Sequence, residues 1–376
     1  MAGKRIALGA LVVLAAVAAA CGADPAPAPV EAAKKPAPTT STRPRTTTTT
    51  RPPTTTTTTP PTTTTTTATT TPPTTALPTT TTTTATPPAG GSATGDQNGS
   101  LGSCRVFPAD NAWNTDVSQV PVHPNSANYI ANILANGGDF LHADFGGGGA
   151  YGIPYVTVAG TQPAVPVTFV DWPDESDPGP YPVPLEAPIE GGSDAHVLTI
   201  DRDHCVLYEL YNASRSGSGW AASNGARWDL KSNALRPIGW TSADAAGLPI
   251  FAGLARYDEV ASGHIDHALR VTINATQKGF VLPATHYASS STDPNRPPMG
   301  LRLRLRADYD ISSFHGQSRV ILEALKKYGL IVADNGSNWF ITGASDSRWD
   351  DGDLNQLKTV PGSAFEVVDT GPVRTG

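Results

Sequence analysis

Residues 262–273, SGHIDHALRVTI, bring two histidines, an aspartate and an arginine into one strand-like segment. If the strand is regular, Asp266 and Arg270 lie on one face together with His264. They would form an ion pair there, or line the floor of a substrate groove. His267 lies on the opposite, apolar face, where a hydrogen-bonded core histidine or an acid/base group would fit.

Carboxylates at three positions are candidates for acid/base chemistry. Cleavage of a glycosidic bond commonly needs two carboxyl groups, one of which its surroundings keep protonated. The strand-like CVLYELYN contains Glu209, and the loop ARYDEVASG contains Glu259. With Asp266 they are the catalytic carboxylates that we predict, and Asp244 in TSADAAGLP is predicted to bind substrate. Any one of these residues would serve equally well in a turn or an ion pair.

A polysaccharide lyase would use different groups, because it neutralises a uronate and then moves a proton. The adjacent residues His286 and Tyr287 in PATHYASSS have side chains suited to that task. We therefore predict His267 and His286 as acid/base groups and Tyr287 as a substrate contact.

Three arginines alternate with leucines in GLRLRLRADYD. On a strand, Arg302, Arg304 and Arg306 would stand in a row and repel one another unless carboxylates lie beside them. The protein's own carboxylates are the first expectation. If the row is open, Arg302 and Arg304 would bind an anionic glycan, as would Arg270.

Aromatic side chains are a further indication of sugar binding. All seven tryptophans follow residue 101. Exposed indole rings can stack on sugars, whereas buried ones fill a core. The loop SGSGWAASNG favours exposure of Trp220, which we predict to be a substrate contact.

Other chemistries gain less support from the sequence. A metal site with His264, Asp266 and His267 would need a bulge, because a regular strand cannot turn residues i and i+3 onto one ion. The glycine-rich FGGGGAYG lacks the lysine of a phosphate-binding loop, and no nucleophile elbow or His-Glu-x-x-His motif is present. No cofactor or metal is predicted.

The elements that would position these groups are mostly strands. Short β-branched and alternating runs are separated by turn residues, in GIPYVTV, VPVTFV, HVLTID, CVLYELYN, HIDHALRVTI and MGLRLRLRA. Only NSANYIANILANGG and GQSRVILEALKKYGL have helical spacing, each followed by a glycine that can stop a helix. We predict a mainly β fold, an antiparallel β-sandwich of jelly-roll type with two peripheral helices. A β-barrel and an α+β fold are the alternatives.

The N-terminal sequence predicts export. Residues 1–20 combine Lys4 and Arg5 with a short apolar run, as in a secretory signal peptide. The following Cys21 resembles the lipidated cysteine of bacterial lipoproteins, although Ala18 stands where leucine is usual. Ordinary cleavage would give a secreted protein without lipid.

A disordered stalk and a single folded domain are predicted to follow. Residues 21–100 are dominated by threonine and proline, which cannot bury enough apolar surface to fold. Residues 101–376 are predicted to form one β-rich domain. Outside the cell, Cys104 and Cys205 would form a disulfide; two buried free thiols are the alternative. The domain contains 19 Lys and Arg against 30 Asp and Glu, which argues against nucleic-acid binding.

Three segments carry a resemblance to known sequences: RYDEVASGHIDHALRVTI, PATHYASSSTDPNRPPMGLRLRLRA and KKYGLIVADNGSNWFITGA. They resemble a group of secreted proteins from actinobacteria and other bacteria, over most of residues 104–369. The resemblance implies an extracellular single-domain protein, and it carries no activity and no site residues.

Taken together, these features predict a lipoprotein on the outer face of the cell membrane that cleaves glycosidic bonds in extracellular polysaccharide. It would act as a glycoside hydrolase or a polysaccharide lyase. The alternative is a lipoprotein that binds glycan or cell wall without catalysis.

Overall fold

The computed structural model describes residues 95–143 and 145–375. The predicted signal peptide, Cys21 and residues 22–94 of the predicted stalk lie outside the described residues. Within the described part of the chain, no helix combines the length and the apolar character that crossing a membrane requires.

Short strands dominate the described chain. In chain order they are β1 (Asp96–Gln97), β2 (Tyr155–Val158), β3 (Val167–Phe169), β4 (Val197–Asp201), β5 (Val206–Tyr211), β6 (Ser214–Ser216), β7 (Gly219–Ala222), β8 (Asn224–Asp229), β9 (Leu269–Ile273), β10 (Arg302–Leu305), β11 (Leu330–Asn335), β12 (Phe340–Ile341) and β13 (Phe365–Val367). The helices are α1 (Ser126–Ala135), α2 (Tyr257–Ala261), α3 (Gly316–Lys327) and α4 (Asp351–Leu354).

These strands form three sheets. The first sheet has the order β1-β2-β4-β5-β8, the second sheet β12-β9-β11-β10-β13, and the small sheet β3-β7-β6. Each sheet contains one parallel pair, namely β2 with β4, β9 with β11, and β3 with β7. The other pairs are antiparallel, so the sheets are mixed where a wholly antiparallel sandwich was expected.

Apolar side chains pack on both faces of the first sheet. Leu198 and Leu207 belong to a large core that also contains Val271 and Leu303 of the second sheet. On its opposite face, Leu210 joins a smaller cluster with residues of the small sheet. The alternation of side chains along a strand explains how β5 serves both clusters. The predicted mainly β fold is confirmed, and none of the sheets described here closes into a barrel.

Trp220 lies in that smaller cluster. It is 1% exposed, and its indole N–H donates to the carbonyl oxygen of Val183 at 3.4 Å. The prediction of an exposed, substrate-binding indole is therefore wrong. The loop composition around Trp220 suggested exposure, but residues 219–222 form β7 in the small sheet and the ring turns inward.

Helices α1 and α3 are the two that the periodicity predicted. Ile321 and Leu325 of α3 are fully buried, and two lysines occupy its last turn, where cations interact favourably with the helix dipole. Gly329 follows with a φ of +70°, and a Cβ there would lie 2.1 Å from the carbonyl oxygen of Leu303. A glycine is therefore required where α3 turns into β11.

The predicted disulfide is present between Cys104 and Cys205. It joins the segment before α1 to the turn between β4 and β5, across a sequence separation of 101 residues.

Candidate active site

The segment that contains both histidines is only partly a strand. Regular pairing begins at Leu269, so residues 264–268 do not alternate as predicted. Asp266 is exposed, lies 3.4 Å from His264 and accepts a hydrogen bond from the Tyr328 hydroxyl at 3.3 Å. Arg270 turns into the protein instead, so the predicted Asp266–Arg270 ion pair is not formed.

Glu259 and His267 meet in a small ion cluster at helix α2. The Nε2 atom of His267 lies 3.1 Å from Glu259 Oε2 and 3.0 Å from the Arg256 guanidinium, which also binds Glu259 Oε1. The other ring nitrogen lies 2.7 Å from the carbonyl oxygen of Ala268. Burial alone would raise the pKa of Glu259, but Arg256 and His267 lower it to about 2. The three side chains satisfy one another's hydrogen bonds and charges, and they hold α2 in place.

Glu209 is enclosed in the large core. Its carboxyl group accepts hydrogen bonds from the Trp228 indole and from the amides of Ile250 and Phe251, at 2.9–3.2 Å. Burial raises its pKa to about 7, with a contribution from the charge of Asp244. The side chain has no exposed surface. It therefore connects β5 to residues 250–251 and has no access to a polymer.

Arg302 and Arg304 lie under the segment 112–120. Arg302 donates to the carbonyl oxygens of Ala112, Thr115 and Tyr328, and burial lowers its pKa to about 9. Arg304 binds Glu366, as well as two carbonyl groups of the covering segment. The arginine row is thus satisfied inside the protein, partly by a carboxylate and largely by the backbone.

His286 and Tyr287 are half-buried beside residues 244–246. The Nδ1 atom of His286 lies 2.7 Å from the carbonyl oxygen of Ala245, and Lys278 lies 5.9 Å above the Tyr287 ring. His286 therefore borders the segment that contains Asp244, and the Tyr287 ring stacks with that of His286 at 5.8 Å.

A larger group of titratable side chains converges around Arg270, and we call it the Arg270 cluster. Its members come from the segment before β4, from the end of β5, from the segment after β8, and from β9 and β11. They are Glu190, Asp194, His196, Tyr211, Asp244, Arg270 and Asp334. Only Asp244 and Arg270 were predicted as site residues.

Arg270 and Asp244 form the buried base of this cluster. Two parallel hydrogen bonds join the guanidinium to the carboxylate, at 2.7 and 2.9 Å, and a third reaches the Thr342 hydroxyl at 2.7 Å. Burial disfavours the charged guanidinium, but Asp244, Asp334 and Glu190 more than offset this and raise its pKa. A permanent positive charge is therefore held between several carboxyl groups.

His196 and Glu190 form a second pair. One ring nitrogen of His196 binds Glu190, and the other lies 3.1 Å from the carbonyl oxygen of Ala243. Because both ring nitrogens face acceptors, the imidazole favours its protonated form. Burial lowers the pKa of His196, but Glu190 and Asp194 outweigh it and raise the value to about 8. The pKa of Glu190 is lowered in turn, since His196 outweighs the effect of burial.

The carboxyl pKa of Asp334 is raised, in contrast to that of Glu190. A β-bulge between Val332 and Asp334 interrupts the pairing of β11 with β9, and such bulges redirect side chains. The half-buried carboxyl group accepts a hydrogen bond from the Asn335 amide at 2.6 Å. Burial and the charge of Asp244 raise the pKa of Asp334, although Arg270 acts against them. The side chain therefore stays protonated to a higher pH than an ordinary aspartate does.

Two aromatic rings lie at the edge of the cluster, that of its member Tyr211 and that of Trp172. The Tyr211 ring lies 5.6 Å from that of His196 and 6.2 Å from that of Trp172. Both Tyr211 and Trp172 are half-buried, so each keeps an exposed edge. Burial together with Asp194 and Asp334 raises the pKa of Tyr211, which keeps its hydroxyl protonated. An apolar edge therefore adjoins the carboxyl groups of the cluster.

Of the four carboxyl groups in the cluster, Glu190 has a lowered pKa and Asp334 a raised one. Environments that push two carboxyl pKa values apart define an acid and a base. Glu190 and Asp334 were missed because they lie in PLEAPIEGG and LIVADNG, where a loop carboxylate and a strand-end aspartate look ordinary. The one available signal was that Asp334 follows four apolar strand residues and precedes Asn-Gly.

Neither a metal-binding arrangement nor a match to a known protein helps to identify the chemistry of the Arg270 cluster. In residues 95–143 and 145–375, no group of three or more His, Cys, Asp or Glu residues has the arrangement of a metal site. Comparison of the chain with protein-family models, curated proteins and solved structures finds no match.

Proposed function

We propose that this protein hydrolyses glycosidic bonds in extracellular polysaccharide, with the Arg270 cluster as its active site. The observation that supports this best is that Glu190 is ion-paired with His196 while Asp334 lies on the strand next to that of Arg270, an arrangement in which the carboxyl pKa of Glu190 is lowered and that of Asp334 is raised. Hydrolysis by two carboxyl groups needs one of them protonated and the other ionised at the same pH.

In the proposed reaction, Asp334 donates its proton to the glycosidic oxygen as the bond from that oxygen to the anomeric carbon breaks. Glu190 either removes a proton from the water that attacks the anomeric carbon, or attacks that carbon itself to form a glycosyl ester. In the second case a water that loses its proton to the Asp334 carboxylate hydrolyses the ester and frees Glu190. Its ion pair with His196 keeps Glu190 ionised for either role. Arg270 is a positioning residue. Its charge interacts with both Asp334 and Glu190, while its hydrogen bonds go to Asp244 and Thr342.

The N-terminal sequence supports an extracellular location. A signal peptide, a cysteine at position 21 and a threonine- and proline-rich stalk would place the domain outside the cell, anchored by lipid at Cys21 or secreted without it. Polysaccharide of the cell wall or matrix is the polymer available there.

The test is to incubate the purified full-length protein with a panel of neutral and uronic-acid glycans and to measure new reducing ends. We expect Asp334→Asn and Glu190→Gln each to lower kcat at least about a hundredfold, in the range of general acid–base catalysis. Asp308→Asn and Glu323→Gln remove exposed carboxylates elsewhere and should leave the rate unchanged. Full activity in Asp334→Asn would rule out this site.

Glycan binding without cleavage is the second candidate, because Trp172 and Tyr211 would stack on a sugar whether or not it is cleaved. A binding protein would release neither reducing ends nor unsaturated products from any glycan of the panel. It would still show saturable binding that Trp172→Ala removes. Unsaturated products would instead indicate a lyase.

A further inference from the structure

A second polar surface lies on the other face of the first sheet. Residues alternate along β5, so Leu207 faces the large core while Tyr208 packs beside the smaller cluster. Tyr211 has the same phase as Leu207 and packs against the large core. Beside Tyr208 an open groove of about 570 Å³ is lined by Asp201, His204, Val206, Tyr208, Arg227, Asp229 and Lys231, and we call it the outer groove.

The strand register places an aromatic ring next to a cation. Tyr208 of β5 lies directly opposite Arg227 of β8, and Val206 lies opposite Asp229. Directly opposed side chains on one face of an antiparallel pair are neighbours. The half-buried Tyr208 ring and Val206 provide an apolar floor, and Arg227 provides a charged edge.

The acidic residues of the outer groove already have partners. Asp201 is 6% exposed and accepts hydrogen bonds from the amides of Asp203 and His204, and its other oxygen lies 2.7 Å from the His204 ring. Asp229 accepts a hydrogen bond from the Lys231 amide at 2.9 Å.

The cationic side chains of the outer groove differ from its carboxylates in this respect. Neither the Arg227 guanidinium nor the Lys231 ammonium makes a hydrogen bond or an ion pair with residues 95–143 or 145–375. Both residues are exposed. Two unused cationic donors on an otherwise acidic domain are complementary to an anion beside the Tyr208 ring.

We propose that the outer groove binds uronate units of an acidic polysaccharide. The uronate carboxylate would bind Arg227 and Lys231, and the C–H face of the sugar ring would lie on Tyr208. The outer groove and the Arg270 cluster are on opposite faces of the first sheet, so this is an accessory site that holds the polymer. Its binding does not depend on the proposed hydrolysis.

Calorimetric titration of the full-length protein with sodium polygalacturonate tests the proposal. The double variant Arg227→Gln/Lys231→Gln should weaken binding at least about tenfold, as expected for loss of charge-assisted hydrogen bonds. Arg105→Gln/Arg374→Gln removes the same charge from two exposed arginines elsewhere and should bind like the wild type. Tyr208→Phe should also bind normally, whereas Tyr208→Ala should not, with thermal melts confirming that each variant is folded.

The nature of the anion is tested in the same way. Methyl-esterified polygalacturonate has the same backbone without the charge and should bind at least about tenfold more weakly. Equal affinity for both polymers, unchanged affinity in the double variant, or binding of dextran sulfate but not polygalacturonate would each overturn the proposal. Asp334→Asn should still bind polygalacturonate, and the groove variants should cleave short substrates normally, which separates this site from the proposed active site.

Discussion

Asp334 and Glu209 both have carboxyl pKa values raised by burial, yet they differ in what surrounds them. Glu209 accepts three hydrogen bonds inside the core, so its protonation affects only the packing of β5 against residues 250–251. Asp334 is only half-buried, accepts one hydrogen bond and interacts electrostatically with Arg270, Asp244 and Tyr211. The raised pKa together with these surroundings makes Asp334, rather than the fully enclosed Glu209, the catalytic candidate.

At the residue scale, the opposite shifts predict how activity depends on pH. Asp334 must be protonated and Glu190 ionised, so kcat/KM should fall as the pH rises through about 7, the value to which burial and Asp244 raise the pKa of Asp334. The acid limb should lie below pH 4.5, because His196 lowers the pKa of Glu190 against the effect of burial. Initial rates on the best glycan, measured between pH 3 and 9, would check both limbs.

Asp194→Asn provides the control for this pH profile. The charge of Asp194 raises the pKa of Asp334, so its removal should move the alkaline limb to lower pH without abolishing turnover. An activity that increases as the pH rises above 7 would contradict the assignment of Asp334 as the acid.

The ion cluster at α2 predicts a second pH effect, this time on stability. The pKa of Glu259 is about 2 in the folded protein and 4.5 in the unfolded chain. Ionised Glu259 therefore stabilises the fold above about pH 4.5, and this contribution is lost as the pH falls toward 2. We expect Glu259→Gln to lower the free energy of unfolding by about 3 kcal/mol at pH 7, and by less at pH 3.

Urea denaturation at both pH values would measure this difference. Glu323→Gln removes an exposed i,i+4 pair with Arg319 and should change stability by no more than about 0.5 kcal/mol. Equal losses for Glu259→Gln at pH 7 and pH 3 would argue against a coupling between this carboxylate and its two cationic neighbours.

At the element scale, β10 shows what the sequence pattern did and did not predict. The alternation of leucine and arginine correctly predicted a strand with leucines in the core. It could not show that a segment 180 residues or more earlier in the chain covers the arginine face, because a pattern records only the phase of side chains. The start of β9 was misplaced for the same reason, since polar residues before Leu269 continue the alternation without forming a ladder.

Substitution of Arg302 measures how much its hydrogen bonds to the segment 112–120 and to Tyr328 contribute to stability. Arg302→Met should destabilise the protein by about 2–4 kcal/mol, because the carbonyl oxygens of Ala112, Thr115 and Tyr328 lose a buried charged donor. Arg306→Met, one residue beyond the end of β10 and with an exposed side chain, should cost less than about 0.5 kcal/mol. Chemical denaturation of the two variants would compare them, and similar losses would mean that Arg302 contributes through its charge rather than through these three hydrogen bonds.

At the scale of the whole molecule, local sequence patterns predicted the class of fold. The residues of the candidate site, in contrast, are brought together by strands and loops that are far apart in the sequence. The disulfide, α1, α3 and the mainly β content follow from composition and periodicity. The parallel pairing of β9 with β11 does not, yet it brings Arg270 and Asp334 to neighbouring strands. Glu190 and His196 join them from a segment that no strand or helix pattern distinguishes. A site assembled from five distant segments has no local motif.

The disulfide predicts a global effect on stability. Replacing both cysteines, Cys104→Ser/Cys205→Ser, should lower the free energy of unfolding by about 4–5 kcal/mol, the chain-entropy value for a loop of roughly 100 residues. Scanning calorimetry of the double variant should show a clearly lower Tm, and the wild type should approach it when reductant is present. An unchanged Tm in both experiments would show that the link does not constrain the unfolded chain.

Strand β5 leaves little freedom for insertion or deletion. Within six residues it points Leu207, Glu209 and Tyr211 to one face, and Val206, Tyr208 and Leu210 to the other. Loss of a single residue would exchange the two sets, placing the Glu209 carboxyl among the apolar residues of the small cluster and withdrawing both tyrosines from their surfaces. Substitutions can adjust either surface separately, but the length of this strand is shared by both.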